Sequence, residues 1–408
     1  MIQLPEEFCL EAQRVMGDER FQQYMESFHH DIPVSIRLNP LKVCGSDWAV
    51  TGGEPIPWCK GGFYLSRRPN FTMDPLFHAG CYYVQEAASM FLSEILSQLS
   101  VTDSAISSAL DMCAAPGGKS TLLRSILPND CVLYSNEPIR NRANILSENV
   151  AKWGYENHLV TNNYPRDFVQ SKMKFDLILC DVPCSGEGMF RKDEATISEW
   201  SQQGVEKCWR LQRQIVSDAW KCLNEGGILI YSTCTFNTKE NEENVRWILS
   251  EFDAEVIPIK TCPEWNITGS LLPGFDEPVY RFIPGISRSE GLFMCVLRKG
   301  GLKRDNNSSK KNFTPERIHI LQPINEKAIQ QVVGTAPLSY SQAISFLRGE
   351  AFQLPDATPR GIVEVDFIGQ KLGLMKNIGS RANNLYPKEW RIKTTHISTE
   401  YEAILRHT

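Results

Sequence analysis

Cys184 and Cys234 stand 50 positions apart, each just past an apolar run that reads as a β-strand. The first lies in Asp181-Val182-Pro183-Cys184-Ser185-Gly186 and the second in Tyr231-Ser232-Thr233-Cys234-Thr235. Upstream, Cys113-Ala114-Ala115-Pro116-Gly117-Gly118-Lys119 follows a third apolar run. A small-residue turn, then an acidic-Pro-Cys, then a Thr-Cys, points to an enzyme that binds an adenosine cofactor and attacks its substrate with a thiolate. A lone cysteine is more often a small buried hydrophobe than a nucleophile. The combination, with each member at a strand end, is much harder to explain as packing.

Each motif has its own chemistry. In 113–119, Gly and Ala let the backbone approach a ligand, and the following helix N-terminus offers free N–H groups. The spacing is neither that of a P-loop nor G-x-G-x-x-G, so alone it also suits a plain βα turn. Ser135-Asn136-Glu137 ends the next strand. An acid roughly 20 residues after a glycine turn suits the hydroxyls of a ribose, or equally a helix N-terminus. Asp181 at a strand's carboxyl end needs a partner if buried, either a base-edge N–H or a protonated ring nitrogen, or it caps the next helix. Cys234 needs a lowered pKa or a nearby base to act as a nucleophile, and Lys119 supplies positive charge if the strands are neighbours.

These residues need a sheet to position them. From 108 to 300, strand-like runs at 109–112, 131–135, 159–161, 177–180, 228–232, 255–260 and 292–298 alternate with helical patterns at 119–127, 139–153, 205–223 and 239–251. That alternation predicts an α/β domain with a mostly parallel sheet covered on both faces. Residues 1–100 open with two helical patterns, Phe8/Ala12/Val15/Met16 and Phe21/Tyr24/Met25/Phe28, then a strand over 34–38. A further helix is expected over 84–99. Residues 301–314 are polar and low in complexity, and read as a linker. Residues 315–408 read as a small α+β module, with a helix near 339–348 and strands near 361–368 and 371–376. The expected units are therefore 1–100, 101–300, the linker 301–314, and 315–408.

The bulk composition, 42% hydrophobic and 22% charged, is that of an ordinary globular protein. Thirteen cysteines, none in C-x-x-C spacing, argue for reduced thiols and no zinc site, and so for a cytoplasmic protein. No segment reads as a signal peptide or membrane span. The net charge of −5 is unevenly spread. Residues 301–408 hold 15 Lys/Arg against 10 Asp/Glu, and residues 1–300 hold 28 against 38. A basic terminal module on an acidic body suits a phosphate-rich partner, although an excess of five charges is also unremarkable.

The chain resembles the RNA (cytosine-5)-methyltransferases of the Nol1/Nop2/Sun type, and within them the bacterial 16S rRNA branch. The resemblance is carried by Arg37-Leu38-Asn39, Tyr83–Ala87, the 113–119 loop, Asn136-Glu137, Asp181–Gly186, Arg191-Lys192-Asp193, Ser232–Thr235 and Gly291–Met294. It implies a Rossmann-like class I core dependent on S-adenosylmethionine, a small N-terminal α+β domain, and a C-terminal PUA-like domain. Residues Cys113, Ala114, Ala115, Pro116, Gly117, Gly118 and Lys119 would cradle the methionine part of the cofactor. Glu137 would hold the ribose, supported by Arg142. Cys234 would attack C6 of a cytosine, Asp181 would face N3, Cys184 would assist removal of the C5 proton, and Lys119 would orient the base. Where the family usually carries an Asp for the adenine, this chain has Asn162 and Asn163, either of which could accept that hydrogen bond.

The resemblance also implies ribosomal RNA, free or in the small subunit, as partner, with no metal and no required oligomer. Arg37, Asn39, Arg191, Lys192, Arg381 and Lys388 are the expected RNA contacts. A chain ending near residue 300 is expected to keep cofactor binding and lose RNA affinity. Transfer RNA is the alternative substrate. A non-catalytic assembly factor is the alternative of another class, and the joint presence of Cys184, Cys234 and Asp181 argues against it.

Overall fold

A run that is apolar on both faces must be covered on both faces. In the computed structural model, which describes residues 3–43, 47–102, 106–301, 317–321 and 331–407, the central runs form one eight-stranded sheet. From one edge the order is Ala254–Val256, Leu292–Lys299, Leu223–Thr233, Phe175–Asp181, Ser108–Asp111, Val132–Asn136 and His158–Thr161. Tyr280–Phe282 pairs with the flank of Leu292–Lys299. The strands from Leu223–Thr233 to His158–Thr161 are parallel, and Leu292–Lys299 joins them antiparallel. Leu177, Leu179 and Ile230 pack into one core, while Ile178, Cys180, Leu229 and Tyr231 pack into another. This is the alternation of strands buried on both sides.

The chain enters at Ser108–Asp111, adds two strands on one side, then crosses to Phe175–Asp181 on the other. The switch point between these two strands opens a crevice at their carboxyl ends. All the sequence motifs with chemistry fall there. The expected strands and helices of this region are present within a few residues. Leu223–Thr233 starts early because Leu223 pairs with Phe175 before the Asn224–Gly227 turn bulges out of register. Tyr280–Phe282 was not expected, being too short to show an alternation.

The N-terminal region holds helices Glu6–Met16 and Asp18–Glu26 and a four-stranded sheet. The helix expected over 84–99 is shorter, Leu92–Gln98, preceded by a 3-10 turn at Ala88–Phe91. Tyr82–Val84 is instead a strand, because Val84 lies opposite Ile36 and Gln85 N–H continues the ladder to Ser35 O at 3.2 Å.

The C-terminal residues form a four-stranded sheet with the expected helix at Tyr340–Leu347 and strands at Gly361–Phe367 and Gln370–Asn377. Nearly all of the expected linker lies outside the described residues. The module does not stand apart. Ile36, Leu76 and Tyr82 share one core with Val363, Phe346 and Leu405. Leu405–His407 pairs with Trp48–Val50, and Tyr340 Oη donates to Met73 O at 3.2 Å. Ending the chain near 300 would expose the part of this core that the N-terminal sheet contributes.

Two expected RNA contacts are also corrected. Arg37 is 3% exposed. Its Nε donates to Gln85 Oε1 (2.8 Å), its Nη2 to Thr121 Oγ1 (2.6 Å), and its guanidinium lies over Trp153. Asn39 is fully buried and its Nδ2 donates to the carbonyls of Gly80 and Trp153 at 2.8 Å. A buried group whose donors are satisfied by protein is structural: these two fasten the small sheet to the domain built on the eight-stranded sheet.

Candidate active site

Phe175–Asp181 and Leu223–Thr233 are parallel neighbours with Asp181 opposite Ser232. The loops that leave them therefore start side by side, which brings Cys184 and Cys234 together across 50 residues. Their Sγ atoms are 3.3 Å apart. Two buried carboxylates hold the loops in place. Glu187 Oε2 accepts from the N–H groups of Phe236 (2.8 Å) and Asn237 (3.0 Å), and its Oε1 from Trp200 Nε1 (3.1 Å). Glu240 Oε2 accepts from Ser185 N–H (3.1 Å) and Gln212 Nε2 (2.6 Å), and Gln212 also holds Pro183 O. Gly188 N–H donates to Cys234 O at 2.8 Å. A side chain on Gly188 would meet that oxygen at 2.9 Å and the Gly291 backbone at 2.7 Å, so only glycine permits this approach.

The thiols are electrostatically unequal. The Cys184 S–H···S contact and the nearby Lys119 ammonium favour the Cys234 thiolate and outweigh burial and Asp181, so its pKa is lowered. The same neighbour, with burial, pushes Cys184 well up. Lys119 Nζ lies 2.8 Å from Asp181 Oδ2. Burial works against its charge, but the attraction and hydrogen bond of Asp181 prevail and hold it protonated. The structure thus assembles Cys184, Cys234, Asp181 and Lys119 in one place.

Across the crevice, Ser108–Asp111 leads through the small-residue loop into helix Gly118–Ile126. Gly117 sits at φ +116°, and a Cβ there would also press on Leu146 at 3.2 Å. Glu137 is almost fully buried, with Arg142 Nη1 at 3.3 Å, and Arg142 Nη2 donates to Ala115 O at 3.2 Å. Asn162 Nδ2 donates to the carbonyls of Glu137 (2.7 Å) and Pro138 (2.9 Å), leaving Oδ1 without a partner among the described residues. Asn163 is corrected as an adenine contact. Its Oδ1 accepts from His319 N–H and its Nδ2 donates to Arg317 O, so it anchors the returning segment 317–321.

Arg191 is corrected as an RNA contact, because it is buried in a 2.5 Å ion pair with Glu290. Lys192, Arg381 and Lys388 are exposed. Sequence reasoning missed Gln85, Asp111, Glu187 and Glu240. Asp111 carries a readable signal, as an acid at a strand's carboxyl end facing a glycine turn. It is 1% exposed, accepts from Ser120, and its Oδ1 has no partner among the described residues. Glu187 and Glu240 carry no local sequence signal, since their partners are remote.

Burial raises Asp111, Glu240 and Glu290 to about 7. Such groups bind protons more tightly folded than unfolded. Their contribution to stability is complete below about pH 4, the range of unfolded carboxyls, and is lost as pH rises through about 7. Urea denaturation should therefore give an unfolding free energy that falls between pH 5 and 8. A rise across that interval would contradict these assignments.

Among the described residues no cluster of His, Cys, Asp or Glu could hold a metal ion, and no helix is long and apolar enough to cross a membrane. The family described as 16S rRNA methyltransferase RsmB/F matches residues 99–298. The N-terminal domain of 16S rRNA methyltransferase RsmF matches 4–87, and the methyltransferase RsmF PUA domain matches 334–392. Among curated relatives, ribosomal RNA small subunit methyltransferase F of Erwinia tasmaniensis is 34% identical over 313 residues, covering 72% of this chain and 63% of that protein. The protein of the same name from Pectobacterium atrosepticum is 33% identical over 320 residues, covering 73% and 63%. The chain thus spans somewhat under two thirds of the length of these relatives. Among solved structures, a methyltransferase homolog from Pyrococcus horikoshii is 28% identical with a TM-score of 0.61, covering 73% of this chain and 96% of that one. NSun6 from the same organism, solved with SFG, shares the fold at 20% identity and a TM-score of 0.59, covering 73% and 99%.

Proposed function

The chain belongs to the 16S rRNA methyltransferase RsmB/F family, and from that premise we propose that it methylates C5 of a cytosine in 16S ribosomal RNA through a covalent Cys234 adduct. The observation that carries the mechanism is the pair of thiols 3.3 Å apart with opposite protonation preferences, beside the Lys119–Asp181 pair. S-adenosylmethionine supplies an electrophilic methyl group when bound. The residues present fit it. The orphaned, buried Asp111 Oδ1 suits its ammonium, Glu137 its ribose hydroxyls, and Asn162 Oδ1 its adenine amino group.

The Cys234 thiolate bonds to C6 of the cytosine, and the electron pair of the C5–C6 double bond moves toward N3, which takes a proton from water. Asp181, held by Lys119, accepts a hydrogen bond from that N3–H. C5 is now nucleophilic and takes the methyl group. Once Cys234 is bonded to carbon it no longer carries the charge that kept Cys184 protonated, so Cys184 ionises to water. The Cys184 thiolate removes the C5 proton, the double bond re-forms, N3 returns its proton to water, and the Cys234 thiolate leaves. Both thiols end in their starting states.

The test is transfer of labelled methyl to 16S rRNA, followed by bisulfite sequencing, with calorimetry of the cofactor. One or more cytosines should become bisulfite-resistant, and Glu137→Ala should weaken cofactor binding at least tenfold. Label on another base, or no label in RNA, would reject the reading. Unchanged affinity in Glu137→Ala would remove Glu137 from the ribose site.

A further inference from the structure

A groove of about 1040 Å³ runs between the N-terminal sheet and the catalytic domain. Its walls come from the segment before strand Val34–Leu38, the exits of two other strands of that sheet, residues 191–192, and Arg288. Five of its lining residues are Arg or Lys and two are acidic, in a chain whose net charge is −5. Arg67, Arg191 and Arg288 each meet a carboxylate. Arg68 and Lys192 are exposed and have no carboxylate at ion-pair distance among the described residues. Gln85, 6% exposed, lines the groove, and its Nε2 has no partner among the described residues. Its Oε1 is occupied by Arg37, so what it has left is a donor. That nitrogen has almost no accessible surface, so the cations on the walls, not Gln85, are what the groove offers a ligand.

Two sets of contacts tie the groove's walls to the loops of the active site. Gln85 packs beneath Gly118, next to Lys119. The wall at 191–192 continues from the Gly188 turn that grips Cys234 O, and Glu290, which pairs with Arg191, donates its N–H to Glu86 Oε1 at 2.9 Å. We infer that this groove binds the sugar–phosphate backbone of a single-stranded RNA segment flanking the target nucleotide, with Arg68 and Lys192 on phosphates. The inference rests on the proposed function and adds where the substrate strand runs. The two exposed, unpaired cations on the walls match a chain of phosphodiesters. They also keep phosphate contacts on the approach, where they position the strand without reading sequence. A stretch must be unpaired there, because the thiols reach C5 and C6 only on a base removed from its stack.

The test uses the full chain and a ten-nucleotide oligouridylate, with affinity measured at several salt concentrations. Removing the cation from one phosphate should lower the slope of log affinity against log salt by about 0.7. Arg68→Ala combined with Lys192→Ala should therefore bind roughly tenfold more weakly at low salt, with a slope about 1.4 smaller, while cofactor affinity is unchanged. Arg381→Ala with Lys388→Ala, on the C-terminal module, serves as comparison. Unchanged affinity and slope in the groove variant would overturn the proposal, as would displacement of the RNA by an acidic peptide that binds only when Arg68 and Lys192 are present. If the groove variant loses RNA binding but the native protein methylates no cytosine, the groove stands and the methyltransferase reading falls. If the native protein methylates and the groove variant binds and methylates normally, the groove falls alone.

Discussion

Cys234→Ala should abolish methyl transfer while leaving the fold and cofactor binding intact, and Cys184→Ala should trap the RNA on the protein. The two thiols are equally close to one another but not equivalent. Cys234 is the one whose ionised form is favoured, by the Cys184 S–H and by Lys119. Without it no C6 bond forms, and the expected loss is at least ~10⁴-fold, the scale seen when a nucleophile is removed. Cys184→Ala still attacks and methylates, but nothing removes the C5 proton and the adduct cannot collapse. A protein–RNA species that survives denaturing electrophoresis should therefore accumulate, and the double variant should form none. Adduct in Cys234→Ala with none in Cys184→Ala would exchange the roles. Full activity in both single variants would end the thiolate mechanism and leave two cysteines filling space at strand ends.

Glu187→Ala should cost about 3–5 kcal/mol of stability and also disable the site. Four donors converge on that carboxylate: the N–H groups of Phe236 and Asn237, Asn237 Nδ2 and Trp200 Nε1. A buried donor left without an acceptor costs roughly 1–3 kcal/mol, and the losses are less than additive when the donors share one acceptor. Because Phe236 and Asn237 lie just past Cys234, the Thr-Cys loop loses its tether to the Pro-Cys loop. In a Cys184→Ala background the yield of trapped adduct should fall at least tenfold at a temperature where circular dichroism shows the variant folded. Glu187→Gln keeps one acceptor oxygen and should recover part of both. A variant with native melting temperature and native adduct yield would show that the clamp does not position the thiol.

The sequence was most legible where function and local pattern coincide. The alternating apolar runs of 108–300 had only one economical solution, a two-sided parallel sheet, because each run is too apolar to leave a face in water. The small-residue loop, Glu137, Asp181 and both cysteines were legible because each sits at a strand end, and strand ends can be read from a short window. Three-residue strands such as Tyr82–Val84 and Tyr280–Phe282 are too short to show a period, and only their partners define them.

What the chain does at long range needed the tertiary structure. Arg37 and Asn39 resemble surface RNA contacts in sequence, since a basic or amide side chain looks the same whether it faces water or protein. Folding places both in a joint between domains, where their donors meet carbonyls and a hydroxyl from residues 41 to 114 positions away. Cys184 and Cys234 were each visible alone, but their 3.3 Å separation follows from the pairing of Asp181 with Ser232, a register that depends on every residue between them. The unequal acidity of the two thiols is decided later still, first by the S–H···S contact that this register creates and then by Lys119 arriving from a third strand–helix turn. Sequence types supply the reactive groups. Which of them is charged depends on the burial and neighbours that only the assembled sheet creates.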